Sequence, residues 1–411
     1  MATDQQAFGA AITGLGLVTP AGVGIEANRD RVWSGVSCTA HDDMLAECSV
    51  NLSCRVPGFD PEAMLGGFQA RQLERFVQLA IVAARQAVAD AGWDTRTWDG
   101  ARVGIVLGNS LGGIQSLLTG HASMLRGGPR QVSPLMLPMY LVNMVAGQVA
   151  IDVRATGPTQ VTATACASGA TAIGVAREML RRRECDVVLA GGTEAALTPL
   201  AVTGFDRMGA LSRRSSDPAG ASRPFDADRD GFVPAEGAGV LVMERLEDAG
   251  ARRTPVRAVV RGYGATTDAH HPTAPAPGGE GIERALRTAL RDAGIDGSDV
   301  DHVNAHGTST PLGDVVEGRM LARVLGRRPL VTSTKGVIGH TLAAAGAIEA
   351  AYTALAVEHK SVPPTANLCR LAPELDIDVV HGAPRTASVD VAVSTSMGFG
   401  GHNAALVLTA A

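Results

Sequence analysis

Short apolar runs of strand length alternate along this chain with longer stretches of helical period. In the first half, Ala11–Val18, Arg102–Gly108, Gln160–Ala165 and Asp186–Ala190 read as strands. Arg71–Ala91, Leu141–Val153 and Ala170–Arg182 read as helices. The rhythm returns later: strands at Val256–Tyr263, Val300–Asn304, Leu330–Thr334, Val389–Thr395 and Ala404–Thr409, with helices at Gly281–Ala293 and Asp314–Leu325. Strands alternating with helices predict an α/β protein whose sheets are covered by helices. Ile12–Gly16 opens the first series and Val260–Gly264 the second, and the two segments echo each other. An ancient duplication follows as a hypothesis, with halves at 1–250 and 251–411. Between them, Ala210–Asp230 is rich in Arg, Ser, Asp and Pro and reads as an irregular surface loop.

One stretch breaks the amphipathic pattern. Thr341–Val357 is apolar on nearly every side and carries Glu349 at its middle. It is short for a membrane span, and a carboxylate is costly at a bilayer centre, so it predicts a helix buried in the protein. Composition narrows the function classes further. A net charge of −5 with only 3% aromatic residues argues against nucleic-acid binding. Six cysteines form no CxxC pair and no metal-ligand spacing, which fits a reduced cytoplasmic interior and no metal site. The N-terminus lacks the basic and apolar regions of a signal peptide.

Candidate chemistry clusters at the ends of the strand-like runs. Cys166, in Thr164-Ala165-Cys166-Ala167-Ser168-Gly169, follows a β-branched run and precedes a helical stretch. A thiol at a helix N-terminus is favoured as thiolate, while a buried cysteine used as a small hydrophobe is the competing reading. Gly14-Leu15-Gly16 resembles the start of a dinucleotide fingerprint, but Thr19 replaces the third glycine and no suitable acid follows. A structural strand–turn is the better reading there. His306 stands in Asn304-Ala305-His306-Gly307-Thr308-Ser309-Thr310, where a strand runs into a loop. Lys335 and His340 bracket a glycine-flanked loop before the apolar helix. His340 at that helix's positive end is expected to be neutral, and Lys335 is the expected partner of buried Glu349. Gly398-Phe399-Gly400-Gly401 predicts an unusual backbone with N–H donors beside an aromatic gate, or else a tight turn.

In this order, these motifs closely resemble the β-ketoacyl-acyl carrier protein synthases of the elongating type, including ketosynthase subunits of type II polyketide synthases. Arg223-Pro224-Phe225-Asp226 through Glu236-Gly237-Ala238-Gly239 extend the match over essentially the whole chain. The resemblance implies a thiolase fold, with two similar αβα halves in an αβαβα core. It implies Cys166 as nucleophile and His306 and His340 as stabilisers of an enolate. It implies that Lys335 orients them, with Glu349 and Asp314 as supporting residues. It implies an oxyanion hole from the backbone of Cys166 and Phe399, pantetheine contacts from Thr273, Thr308 and Thr310, and a gate at Phe399. No bound cofactor is implied; substrates arrive on the phosphopantetheine of acyl carrier protein.

Several residues depart from the family pattern. Met397 replaces a usual phenylalanine, Thr395 a usual asparagine, and Met136 a frequent aromatic. By resemblance, the Met136 segment crosses a dimer into the partner's acyl tunnel, and Leu111 limits tunnel depth. Arg71, Arg75, Arg126 and Arg130 are candidates for docking the acidic carrier protein. The resemblance leaves two pathway readings: a polyketide or polyene ketosynthase paired with a chain-length factor, or a homodimeric fatty-acid synthase. Cys166, His306 and His340 together argue against a noncatalytic chain-length factor. A degradative thiolase needs a second cysteine that Gly398–Asn403 lacks.

Overall fold

Each half of the chain builds the same five-stranded pattern. In this computed structural model, which describes residues 8–325 and 329–411, the first set is Ala10–Thr19, Val103–Gly108, Thr159–Thr162, Val187–Glu194 and Gly237–Arg245. Numbered within the set, these strands lie in the order 3-2-4-5-1. The second set, Ala258–Thr267, His302–Asn304, Leu330–Thr332, Val391–Gly398 and His402–Thr409, repeats that order. In both, strands two, three and four are parallel, and the fifth pairs antiparallel with the fourth and the first. The two first strands meet through antiparallel pairs from Ala10↔Val260 to Ile12↔Ala258.

The echoing glycines have a packing reason. A Cβ on Gly14 or Gly16 would sit 2.1 and 1.8 Å from the carbonyl oxygens of Ala87 and Ala83, in helix Arg75–Asp90. A Cβ on Gly262 or Gly264 would sit 2.1 Å from those of Ala289 and Ala285, in helix Glu280–Ala293. In each half, a helix backbone presses on the first strand at two points one helical turn apart. Gly14 and Gly16 are thus mid-strand residues rather than part of a turn.

Helices Ser168–Arg181 and Ala345–His359 pack on each other in the inner layer, within a cluster that joins both sets of strands. The second is buried from Ala345 to Val357, as its all-round apolar pattern predicts. Separate clusters lie under the outer helices Arg75–Asp90 and Glu280–Ala293. This is the layered α/β arrangement of the thiolase fold. Among the described residues no helix is long and apolar enough to cross a membrane.

Several boundaries differ from the sequence expectation. The strand expected to reach Ala165 stops at Thr162, because Ala165–Ala167 form a tight turn with Ala165 at φ 49°. The helix expected from Arg71 divides at Leu73 and Glu74, both extended. The strand expected to reach Thr334 ends at Thr332, and Lys335 opens a helical turn. Strand Gly237–Arg245 was not anticipated; it is buried on both faces, so it carries no alternation to read. Ala210–Asp230 is irregular but not superficial: Ala221–Asp226 is buried. Asp226 anchors it by accepting backbone N–H groups of Asp228, Cys369 and Arg370.

Candidate active site

The carboxyl ends of strands from both sets converge on one cavity. Cys166 follows the third strand of the first set, His306 the second strand of the second set, and Phe399 the fourth. Ligand sites in α/β sheets characteristically form at the carboxyl ends of strands. The cavity holds about 570 Å³ and is lined by Cys166, His306, His340, Leu111, Met397 and Phe399 among others.

Cys166 sits at an elbow, between the strained turn at Ala165 and helix Ser168–Arg181. The Ser168 hydroxyl donates to the Ala165 carbonyl and accepts from the Thr164 N–H, which holds the turn. The Phe399 backbone N–H points at the Cys166 sulfur. Gly398 leaves room for this approach: a Cβ there would lie 3.0 Å from the Cys166 nitrogen.

His340 Nε2 lies 3.1 Å from Cys166 Sγ. Its backbone is fixed by pairing on both sides: its N–H donates to Val233 O, and its carbonyl accepts from Ala235 N–H. The His306 and His340 rings stand edge to face, centroids 5.3 Å apart. Phe232 also stands edge to face with the His340 ring, and Phe205 bridges Phe232 to Phe399.

Buried carboxylates set the loop geometry. Glu317 accepts the backbone N–H groups of His306 and Gly307 at 2.8 and 2.7 Å, and the Thr395 hydroxyl at 2.6 Å. Asp314 accepts the N–H groups of Phe225 and Ser309 and pairs with Arg229. Lys335 Nζ pairs directly with Glu349, and both are 1% exposed. Thr395 therefore anchors Glu317 in this chain.

Electrostatics bears on two expectations. Burial pushes the Cys166 thiol up to about 12, with Lys335 and the Phe399 N–H pulling the other way. The resting sulfur is a thiol, because desolvation is the largest of these effects. Burial, and then the positive charge of Lys335, hold His306 and His340 well below the ordinary imidazole value. A neutral ring was expected for His340, and burial is its largest cause. Burial pushes the Glu349 carboxyl up, and Lys335 opposes that rise.

Other sequence-derived candidates divide. Thr273, Thr308, Thr310, Leu111, Met397 and Phe399 line the cavity. Met136 is not among its lining residues; it lies on the short helix Met136–Tyr140, packed against Gly120. Arg71 pairs with Glu62 at the surface, and Arg126 and Arg130 are exposed. Arg75, the fourth docking candidate, differs from these three. Its guanidinium makes two 2.7 Å bonds to Glu236, a buried carboxylate that needs a cation. Glu317 and Glu194 were missed. Glu317 had a signal: it shares a helix face with Val316, Met320 and Leu321, where an acid calls for buried donors.

Fold and site together define a thiolase-fold α/β enzyme with a cysteine–histidine centre. Family models described as "Beta-ketoacyl synthase, N-terminal domain" and "Beta-ketoacyl synthase, C-terminal domain" match residues 9–249 and 257–369. The 3-oxoacyl-(acyl-carrier-protein) synthase 2 of Staphylococcus aureus (strain COL) is 42% identical over 96% of this chain and 97% of its own length. The synthase of the same name from Synechocystis sp. is 41% identical over 96% of both chains. The ishigamide ketosynthase/chain length factor structure superposes with TM-score 0.92 at 32% identity, covering 98% of this chain and all of that one. The AntDE:AntF structure, a type II polyketide ketosynthase with its acyl-carrier protein, gives 0.90 at 30% identity, covering 99% of this chain and all of that one. This chain belongs to the beta-ketoacyl synthase family, condensing enzymes of the acyltransferase type.

Proposed function

We propose that this protein joins an acyl group held on Cys166 to a malonyl group carried by acyl carrier protein, in a decarboxylative Claisen condensation. The observation that carries this reading is the 3.1 Å approach of His340 Nε2 to Cys166 Sγ, with His306 edge-on to the same ring.

Cys166 Sγ attacks the thioester carbonyl of a carrier-bound acyl chain. The backbone N–H groups of Cys166 and Phe399 receive the developing oxyanion. The thiol proton passes through His340 to the departing pantetheine sulfur, leaving a new thioester on Cys166. Malonyl-carrier protein then binds with its thioester carbonyl against His306 and His340. Its bond to the carboxylate breaks, carbon dioxide leaves, and the electron pair becomes an enolate stabilised by the two imidazoles. The enolate carbon attacks the acyl carbonyl, the Cys166–acyl bond breaks, and the sulfur takes a proton from solvent. Neutral imidazoles suit this step, because each donates an N–H to the carbonyl and two uncharged rings stand 5.3 Å apart without repelling each other. Lys335, balanced by Glu349, orients the histidines and sets the local field. Thr273, Thr308 and Thr310 hold the pantetheine arm, and Phe399 gates entry. This chemistry uses no bound cofactor; it operates in the cytoplasm, with Arg71, Arg126 and Arg130 as docking cations for the carrier.

For the pathway, we propose a ketosynthase of a type II polyketide or polyene system, paired with a chain-length factor. The near-complete superposition on the ishigamide ketosynthase/chain length factor supports it. A homodimeric fatty-acid synthase is the second reading, favoured by the 42% identity to the Staphylococcus enzyme.

Intact mass after incubation with acyl-carrier protein tests the chemistry: the wild type gains one acyl group and Cys166→Ala gains none. Acylation of the alanine variant would remove Cys166 from its role. Activity alone as a stable homodimer on saturated acyl carriers would decide for fatty-acid elongation.

A further inference from the structure

Glu194 is a buried titratable group that the proposed mechanism does not use. It ends strand Val187–Glu194, is 0% exposed, and forms no ion pair among the described residues. All four groups hydrogen-bonded to its carboxylate are donors. Oε2 accepts the Ser110 hydroxyl at 2.5 Å, the Ser110 N–H at 3.1 Å and the Leu111 N–H at 3.3 Å. Oε1 accepts Asn109 Nδ2 at 3.1 Å. Asn109 also donates to Thr193 O and accepts the Gly112 N–H, so the network has one polarity throughout. Leu111 and Ser110 line the cavity with Cys166. Behind them the loop is tight: a Cβ on Gly112 or Gly113 would lie 2.4 or 2.1 Å from the carbonyl oxygens of Tyr140 or Met139.

We propose that Glu194 is a specificity-determining positioning residue: its buried carboxylate holds Leu111 in place in the acyl cavity and so sets the chain length that fits above Cys166. This rests on reading that cavity as the acyl site. A carboxylate offers acceptors in every direction the loop needs. A glutamine amide in its place would turn an NH₂ group toward either the Ser110 and Leu111 donors or the Asn109 donor, and the loop must shift to relieve it. Glu194 also raises the Cys166 thiol, so its neutral replacement leaves a second mark on the same sulfur.

The test uses the full chain and needs no carrier protein. Wild type, Glu194→Gln and Ser110→Ala are each treated with N-alkyl iodoacetamides of short, medium and long chain, and Cys166 modification is followed by intact mass against a Cys166→Ala control. Ser110→Ala keeps the carboxylate and serves if the glutamine variant fails to fold. The expected result is a change of about fivefold or more in the long-to-short rate ratio, the order that follows from losing one buried hydrogen bond. The pH profile of short-chain alkylation should also move to lower pH in Glu194→Gln alone. Unchanged length ratios in folded variants would overturn the proposal. Loading of wild type from acyl-carrier protein is scored separately: its failure, with the length profile altered as expected, would count against the condensing reading alone.

Discussion

His340 Nε2 stands 3.1 Å from Cys166 Sγ although the two residues are 174 positions apart. The contact joins the carboxyl end of one strand set to a loop of the other. It pairs a thiol raised by burial with an imidazole depressed by burial, so neither is charged at rest.

The first consequence concerns alkylation. The Cys166 thiol is pushed up to about 12. Its reaction with a short alkylating reagent should keep rising with pH beyond ~8.5, the range where a free peptide thiol levels off. Intact-mass rates measured to the alkaline limit of folding check this. A plateau at neutral pH would mean a thiolate–imidazolium pair at rest.

Buried neutral histidines also tie stability to acidity. His306 and His340 lie well below the ordinary value, and burial takes His302 down to about 4. Below about pH 6.5 the unfolded chain binds protons at these positions while the folded chain does not, so stability falls as pH falls. Each such histidine contributes a slope of up to ~1.4 kcal/mol per pH unit. Urea melts between neutral and mildly acidic pH should show a shallower slope for His340→Asn than for wild type.

Lys335→Ala should cost about 3–5 kcal/mol, because it leaves Glu349 buried without its cation. Lys335→Met with Glu349→Leu should recover much of that loss while activity stays absent. Denaturant midpoints separate the structural effect from the chemical one; a lone Lys335→Ala that melts like wild type would contradict the pair's role.

The two histidines should divide the reaction. His306→Ala should slow malonyl decarboxylation by about 10²-fold or more, the range for a lost transition-state donor, while sparing acyl loading. His306 does not touch the sulfur, whereas His340 does. Carbon dioxide release and acyl mass gain, measured on the same samples, decide it; equal loss of both steps would remove the distinction.

Gly16→Ala and Gly264→Ala should each destabilise the protein by about 3 kcal/mol, at the high end for overpacking. The clashing atoms are helix backbone, which cannot rotate away. Thermal melts of the two variants test the duplicated packing directly.

Much of this was legible in the chain. Helix Ala345–His359 has no polar face, so its all-round burial follows from pattern alone. Cys166, His306, Lys335 and His340 were readable because each lies in a glycine- and threonine-rich break after an apolar run. Strand Gly237–Arg245, buried on both faces, gave no period to read. The thiol's state was not legible from local position, since a helix start favours thiolate while burial, which only the fold supplies, pushes the thiol up. Arg75 read as a surface cation because its partner, Glu236, is 161 residues away.

By itself, the sequence determined the alternation of strands and helices, the doubled glycine echo and the reactive residue types, since each depends on spacing within one segment. Only the tertiary structure decided which of them meet. It set the neutral charge states around Cys166, tied Thr395 to Glu317, and hung the Leu111 loop on Glu194. Desolvation and hydrogen-bond polarity are properties of the folded surroundings, and distant segments contribute them.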